Sequence, residues 1–314
     1  MSRIGEIYPP DRVTLREVGL RDGLQMVRRH PSTSAKAEWL LREVGAGVRH
    51  FELGSFLPAK TAPQFADVAE LIEVCGKHGG HSAALILNDR GAADAVQTQV
   101  NEIVTVVSAT EEHSRANARR SREEAIALIA RTVERAKSAD APPLVQAGIS
   151  MAFGCSIAGA VDPDEVVRLA TRCADAGVDV IGLADTVGFA GPDQIADLVR
   201  LVRKELGDVA LSVHLHDTRG MGIANAAAAL DTGARVLDGS LGGLGGCPFA
   251  PGATGNVVFE DLVYLCERKG FATGIDLEAL ASAREIAVKA MPEEAFYGAL
   301  PRAGAPGGID WRAH

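Results

Sequence analysis

Residues 162–186 read DPDEVVRLATRCADAGVDVIGLADT. Asp162-Pro163-Asp164-Glu165 supplies an N-cap, a proline at the first helical position and acids in the first turn, three features that suit the electropositive start of a helix. Val166, Leu169, Ala170 and Cys173 then recur on one helical face, and Gly177 offers a left-handed stop. A short run, Val180 to Ala184, follows and ends in Asp185-Thr186, as a buried strand ending in polar residues would. The unit is therefore a helix feeding a strand. Ile195, Leu198, Val199, Val202 and Leu206 repeat the helical stripe after Gly191-Pro192-Asp193, as do Ala37, Leu40, Leu41 and Val44 after Ser32-Thr33-Ser34.

Working outward, apolar or β-branched runs bounded by Gly, Pro, Asp or Asn predict strands at Val13–Val18, His50–Leu53, Ser82–Leu87, Glu102–Val107, Val145–Met151, Val180–Ala184, Leu211–His214 and Val236–Ser240. Strands alternating with amphipathic helices require a parallel sheet covered by helices, and eight units favour closure into a (β/α)8 (TIM) barrel over an open doubly wound sheet. No composition shift divides the chain. The expected organisation is one catalytic domain over 1–314, with the barrel at about 11–275 and an added helical region and loosely ordered tail at 276–314.

The 47% hydrophobic and 23% charged content fits an ordinary globular protein, and the net charge of −9 leaves no global basic field for a phosphate backbone, which argues against nucleic acid. Five scattered cysteines without a CxxC pair indicate neither a disulfide framework nor a thiolate zinc site. The opening MSRIGEIYPPDR resembles no secretory or transit segment, so the expected location is the cytoplasm. Residues 141–161 lack charge, yet prolines, glycines, serines and Gln146 interrupt them, and a buried strand with its loop explains them better than a membrane span.

Barrel enzymes place their chemistry at the carboxyl ends of the strands. Here those ends offer Arg21-Asp22-Gly23, Glu52, Asp185-Thr186 and His214-Leu215-His216-Asp217, with a glycine-rich run to Cys247-Pro248 and then Gly255-Asn256 after the eighth strand. On an extended strand His214 and His216 face one side, and neutral imidazoles there can share an ion. With Asp22 and Asn256 they form a mixed nitrogen and oxygen set that suits Mg2+ or Mn2+, with Zn2+ as a further candidate. The rival reading is a pair of histidines hydrogen-bonded in a packed strand end. Arg21 sets a permanent cation beside this centre, where a developing enolate or carboxylate needs one. Glu52 is either its partner or a lone acid. Cys247 can move a proton, or can be a small buried residue. The run has no GxxxxGK[ST] lysine and no GxGxxG unit accompanies it, which disfavours nucleotide cofactors.

EVGLRDGLQ (17–25), ELGSF (52–56), ADTVG (184–188), HLHDTRG (214–220), GLGGCPFAPGATGN (243–256) and EDLVYL (260–265) together resemble the 3-hydroxy-3-methylglutaryl-coenzyme A lyase family over nearly the whole chain. The cysteine run and EDLVYL are the most discriminating of these, because related synthases, aldolases and carboxyltransferases share only the RDG-like start and the HxH strand. The resemblance implies metal ligation by Asp22, His214, His216 and Asn256, enolate stabilisation by Arg21, a loop cysteine at Cys247, and acids at Glu52 and Asp185 that orient Arg21 or move protons. It implies cleavage of 3-hydroxy-3-methylglutaryl-CoA to acetoacetate and acetyl-CoA, as in leucine degradation. Asp185 and His214 both qualify as the base. A homo-oligomer, most simply a dimer, is the expected assembly. Other readings are a lyase or condensing enzyme of the same superfamily with a different 3-hydroxyacyl-CoA, and a non-catalytic binding barrel. The sequence departs from the family at Met26-Val27, at Arg28 in place of a lysine, and at Leu53-Gly54, which bears on acyl-chain preference. Arg28 and Arg29 are candidates for contacts to the coenzyme A phosphates, or are solvated surface arginines.

Overall fold

The computed structural model describes residues 3–245 and 255–306. Its strands are β1 (Thr14–Glu17), β2 (His50–Ser55), β3 (His81–Leu85), β4 (Glu102–Ser108), β5 (Leu144–Ser150), β6 (Val180–Asp185), β7 (Ala210–Leu215) and β8 (Val236–Gly239). Each pairs in parallel with the next, and β1 pairs with β8 through Thr14 opposite Val236 to Glu17 opposite Gly239, closing an eight-stranded barrel with no free edge. All eight expected strands are present. The uncharged stretch near residue 145 is β5, and β2 runs past Leu53 to Ser55 through a register shift between Glu52 and Ser55.

The helices form where local chemistry starts and stops them. Asp162 caps Pro163–Asp175 by accepting from the Asp164 amide at 3.0 Å, and Gly177 ends it at φ +88°. Pro192–Leu206 buries Ile195, Leu198, Val199 and Val202, as its stripe predicts. Thr33–Gly45 differs from expectation. Its inner face is Lys36, Trp39, Leu40 and Glu43, while Leu41 is 37% exposed. Two buried polar members at helical spacing concealed the phase: Lys36 is satisfied inside by Asp67 at 2.8 Å and the Gln64 carbonyl. Helix Leu277–Ala290 of the C-terminal region packs on this same helix and is tied to it where the Asp276 amide donates to the Ala46 carbonyl at 2.7 Å. The helical region ends in a short helix, Leu300–Ala303, and of the tail expected to be loosely ordered from Ala303 onward residues 307–314 lie outside the described residues.

Most of the core lies between strands and helices, where Phe51, Ile103, Ile149, Ile181, Val213 and Leu237 are fully buried. Burying them is the main stabilising contribution, on the order of 1.5–3 kcal/mol per large side chain. Inside the barrel the lower level is polar. Arg16, 1% exposed, donates to Asp238 at 2.9 and 3.1 Å, to Glu102 at 2.9 Å and to Gln146 at 3.0 Å. Tyr8, following helix Arg3–Ile7, closes that end with a 2.5 Å hydrogen bond to Glu102. Such a group tolerates no vacancy, since removing one partner strands a buried charge. Arg16→Met should therefore lose about 3–5 kcal/mol of stability, read in urea as a lower midpoint at unchanged slope; a midpoint equal to the parent's would show that Glu102 and Asp238 do not need the guanidinium.

Candidate metal centre and its surroundings

Three segments deliver the site. After β1 the chain folds over the Val18 carbonyl, which accepts from the amides of Arg21, Asp22 and Gly23 at 3.1, 2.7 and 3.2 Å. Gly19 makes the turn possible, because a Cβ there would lie 2.4 Å from Glu17 Oε1 and 2.7 Å from the Trp39 ring. His214 lies in β7 and His216 directly after it, with Leu215 between them turned into the core at 1% exposure. Residues 255–258 run beside the end of β7: the Asp217 amide donates to the Gly255 carbonyl at 2.9 Å and the Val257 amide to the Leu215 carbonyl at 3.1 Å, so Asn256 comes to rest opposite His216.

The four expected ligands meet. Asp22 Oδ2 is 3.6 Å from His214 Nε2, 3.4 Å from His216 Nε2 and 2.8 Å from Asn256 Nδ2. The two Nε2 atoms are 3.2 Å apart, and one ligand atom from each of Asp22, His214 and His216 lies within 4.8 Å of the others. The inner nitrogens at that distance must either share a proton or point both lone pairs at a cation. Orphaned atoms around them favour the cation. Among the described residues, Asn256 Oδ1, His216 Nδ1, Arg21 Nε and Glu52 Oε1 are buried without a hydrogen-bond partner, an arrangement that native interiors avoid unless something else satisfies them. Turning the Asn256 amide over would present its carbonyl to the same centre. Gly245, at φ +110°, lets its loop lie against that amide, where a Cβ would stand 2.6 Å from Nδ2. The set of two imidazoles, one carboxylate and one amide oxygen, without sulfur, suits a hard or borderline divalent ion.

Electrostatics reinforce the arrangement. Burial alone would lower the His214 imidazole, but hydrogen bonds to Asp22 and Asp238 outweigh it and raise it to about 9. The Asp238 bond, 3.1 Å from Nδ1, fixes the tautomer that leaves Nε2 facing the centre. Burial opposes ionisation of Asp22 and Asp238 as well. Arg21 and the two imidazoles nonetheless hold Asp22 well below the usual carboxylate range, and Arg16 with His214 brings Asp238 down to about 2.

Arg21 and Glu52 belong to the same group. The guanidinium bridges Asp22 Oδ1 at 2.6 Å and Glu52 Oε2 at 2.9 Å, so Glu52 is its partner rather than a lone acid. Both line a cavity of about 430 Å3, with Asp22, His214 and His216, whose far wall is Leu85, Leu87, Val104 and Val106. Asp185 does not line this cavity. Its oxygens accept from the backbone amides of Phe189 and Ala190 at 2.8 and 3.1 Å, and burial pushes it up. Gly182, Leu183, Ala184 and Thr186 of the same segment line the cavity, and His216 is near enough to act on the Asp185 charge. Cys247 lies outside the described residues. Arg28 and Arg29 are exposed just after the Gly23–Gln25 turn.

Sequence reasoning missed Asp238 and Arg16, which share a register position on β8 and β1 and support His214 from below. It also missed what holds the glycine run. Glu17 Oε1 accepts from the Leu241 amide at 3.0 Å and Glu260 Oε2 from the Gly242 amide at 2.9 Å, and burial pushes Glu17 up to about 8. The alternation of Val236, Asp238 and Ser240 was the signal available for Asp238.

Fold and centre together define a (β/α)8-barrel protein with a candidate cation site at the carboxyl ends of its strands. The HMGL-like family model matches residues 12–287, and the chain belongs to that family. It is 40% identical to a hydroxymethylglutaryl-CoA lyase of Pseudomonas mevalonii, over 84% of this chain and 88% of that one, and 36% identical to an (R)-citramalyl-CoA lyase of Chloroflexus aurantiacus, over 88% and 90%. A solved structure of an HMG-CoA lyase from Acinetobacter baumannii in complex with coenzyme A and 3-methylmalate superposes with TM-score 0.87 at 34% identity, covering 96% of this chain and 98% of that one.

Because the ion-free His214 holds a proton up to about pH 9, a cation arriving at Nε2 must displace it. Affinity should therefore rise with pH through 6.5–8.5, and calorimetric titration with Mn2+ in buffers of different ionisation enthalpy should register about one proton released per ion near pH 7. Affinity flat across that range, with no proton release, would contradict the assignment.

Proposed function

We infer that this protein cleaves the carbon–carbon bond beside the carbinol carbon of a 3-hydroxyacyl-CoA, with 3-hydroxy-3-methylglutaryl-CoA as the leading substrate and acetoacetate and acetyl-CoA as products. The observation that carries the reading is Arg21 spanning Asp22 and Glu52 with a buried Nε still unpartnered, next to an acid whose Oε1 is also unpartnered. A divalent ion held by Asp22, His214, His216 and Asn256 would supply Lewis acidity toward the substrate's hydroxyl and carbonyl oxygens.

This chain's own residues account for the remaining steps. Glu52 Oε1 is the acceptor best placed for the carbinol proton, since Asp185 is tied to two backbone amides and His214 has Nδ1 held by Asp238 and Nε2 directed at the ion centre. As that O–H bond breaks, the oxygen's electron pair forms the ketone, and the C2–C3 pair passes to the thioester as an enolate. Arg21, fixed by two carboxylates, needs no reorganisation to stabilise the enolate oxygen. We assign the proton returned to the enolate carbon to Cys247, and contacts with the coenzyme A phosphates to Arg28 and Arg29, which stand exposed beyond the Arg21 turn.

Mn2+-loaded protein incubated with 3-hydroxy-3-methylglutaryl-CoA should release acetoacetate and acetyl-CoA in equal amounts. Arg21→Met should lower kcat by about 10²–10³-fold while binding Mn2+, and Glu52→Gln should lower kcat more than it raises KM. Replacing Arg28 and Arg29 with Glu should do the reverse, raising KM at nearly constant kcat. Turnover by Arg21→Met within about threefold of the parent would remove the enolate-stabilising role from this account.

A further inference from the structure

Gly148 sits in the middle of β5 with Gly182 in register beside it on β6, and both line the cavity. Barrel interiors are ordinarily filled at such levels by branched side chains. Across β4 to β7 the row here is Val106, Gly148, Gly182 and Ser212, so two adjacent lumen-facing side chains are missing.

The two glycines have different reasons to be there. A Cβ on Gly182 would come within 2.9 Å of Gln146 Nε2 and 3.0 Å of Ser212 Oγ, so a side chain there would have to displace the Gln146 amide. A Cβ on Gly148 would meet nothing nearer than the Thr105 carbonyl oxygen at 3.5 Å, an ordinary contact, and Gly148 is not among the positive-φ glycines. Neither backbone nor packing demands glycine at 148. A glycine inside a strand weakens it and marks close approach by a ligand or another backbone. No other backbone comes closer than that carbonyl, which leaves a ligand.

Position and wall chemistry identify the part of the ligand. His214 is one lumen-facing step beyond Ser212 on β7, and β5 lies two strand spacings from β7, roughly 10 Å at about 4.8 Å per spacing. Leu85, Leu87, Val104 and Val106 give the cavity an apolar stretch of wall on the far side of Gly148, with His113, Asn117 and Ser150 also lining the cavity. A methyl group on a carbinol carbon at the ion centre extends only about 1.5 Å and leaves this space uncovered. Resting on the lyase reading above, we propose that Gly148 determines acyl specificity: it opens the cavity to 3-hydroxyacyl-CoA substrates whose carbinol carbon bears an apolar arm longer than methyl.

The test compares kcat/KM for 3-hydroxy-3-methylglutaryl-CoA and its 3-butyl analogue in the parent, Gly148→Ala and Gly148→Val, all Mn2+-loaded and checked by thermal melting. The parent should cleave the butyl thioester at least as efficiently as the methyl one. Gly148→Val should lower the butyl-to-methyl ratio by about tenfold or more, the scale of a methylene's worth of lost pocket, with Gly148→Ala between. Should the valine variant fail to fold, alanine carries the same comparison, since its Cβ makes only ordinary contact. Cleavage of the methyl thioester alone by the parent, or an unchanged ratio in the folded variants, overturns this proposal and leaves the lyase reading intact. Cleavage of neither thioester defeats both.

Discussion

Two imidazole nitrogens held 3.2 Å apart and turned toward one carboxylate are the constraint around which this molecule is arranged. Left to themselves, two inward lone pairs repel, and the pair is stable only with a shared proton or a shared cation between them. The protein secures the geometry from behind. Asp238 fixes His214 through Nδ1, Arg16 neutralises Asp238, and Glu102 and Gln146 take up the remaining donors of Arg16. Asp238, Arg16, Glu102 and Gln146 are buried and each depends on the next, so the centre inherits the rigidity of the barrel interior.

The same interior separates two functions in height. Below lies a polar network that holds strands together, and above it the cavity-lining residues Arg21, Glu52 and His216 keep unused hydrogen-bonding capacity at Nε, Oε1 and Nδ1. That contrast gives a physical criterion for where a ligand belongs. A second hollow of similar size, about 460 Å3, lies among Thr98, Arg135 and Asp140 beside segments leading into β4 and β5, at the opposite end of the strands, and among the described residues no such orphaned atom lines it.

Much of this was legible in the amino-acid sequence because helix stops, strand runs and polar strand ends are local signals. Asp162-Pro163 and Gly177 bracket a helix wherever they occur, and HxH on a strand puts both rings on one side whatever the fold. What was not legible depended on phase or on partners distant in the chain. In a parallel barrel both faces of a strand are buried, so hydrophobicity does not say which of Ala184 and Asp185 looks inward. Asp185 accepts from two backbone amides and holds a loop. Leu41 left the buried stripe expected for it for a related reason, since Lys36 and Glu43 are buried polar residues on the core side of their helix. Asp238 and Arg16 are 222 positions apart and become partners only when β1 closes on β8.

Asp22, His214 and His216 stand close enough to share one cation, and the proposed chemistry depends on that shared ion. Anomalous scattering from crystals grown with MnCl2 addresses that claim most directly. A single strong peak is expected about 2.0–2.4 Å from Asp22, both histidine Nε2 atoms and the Asn256 side-chain oxygen. Manganese bound elsewhere, or a centre with His214 and His216 still sharing a proton at saturating metal, would contradict it.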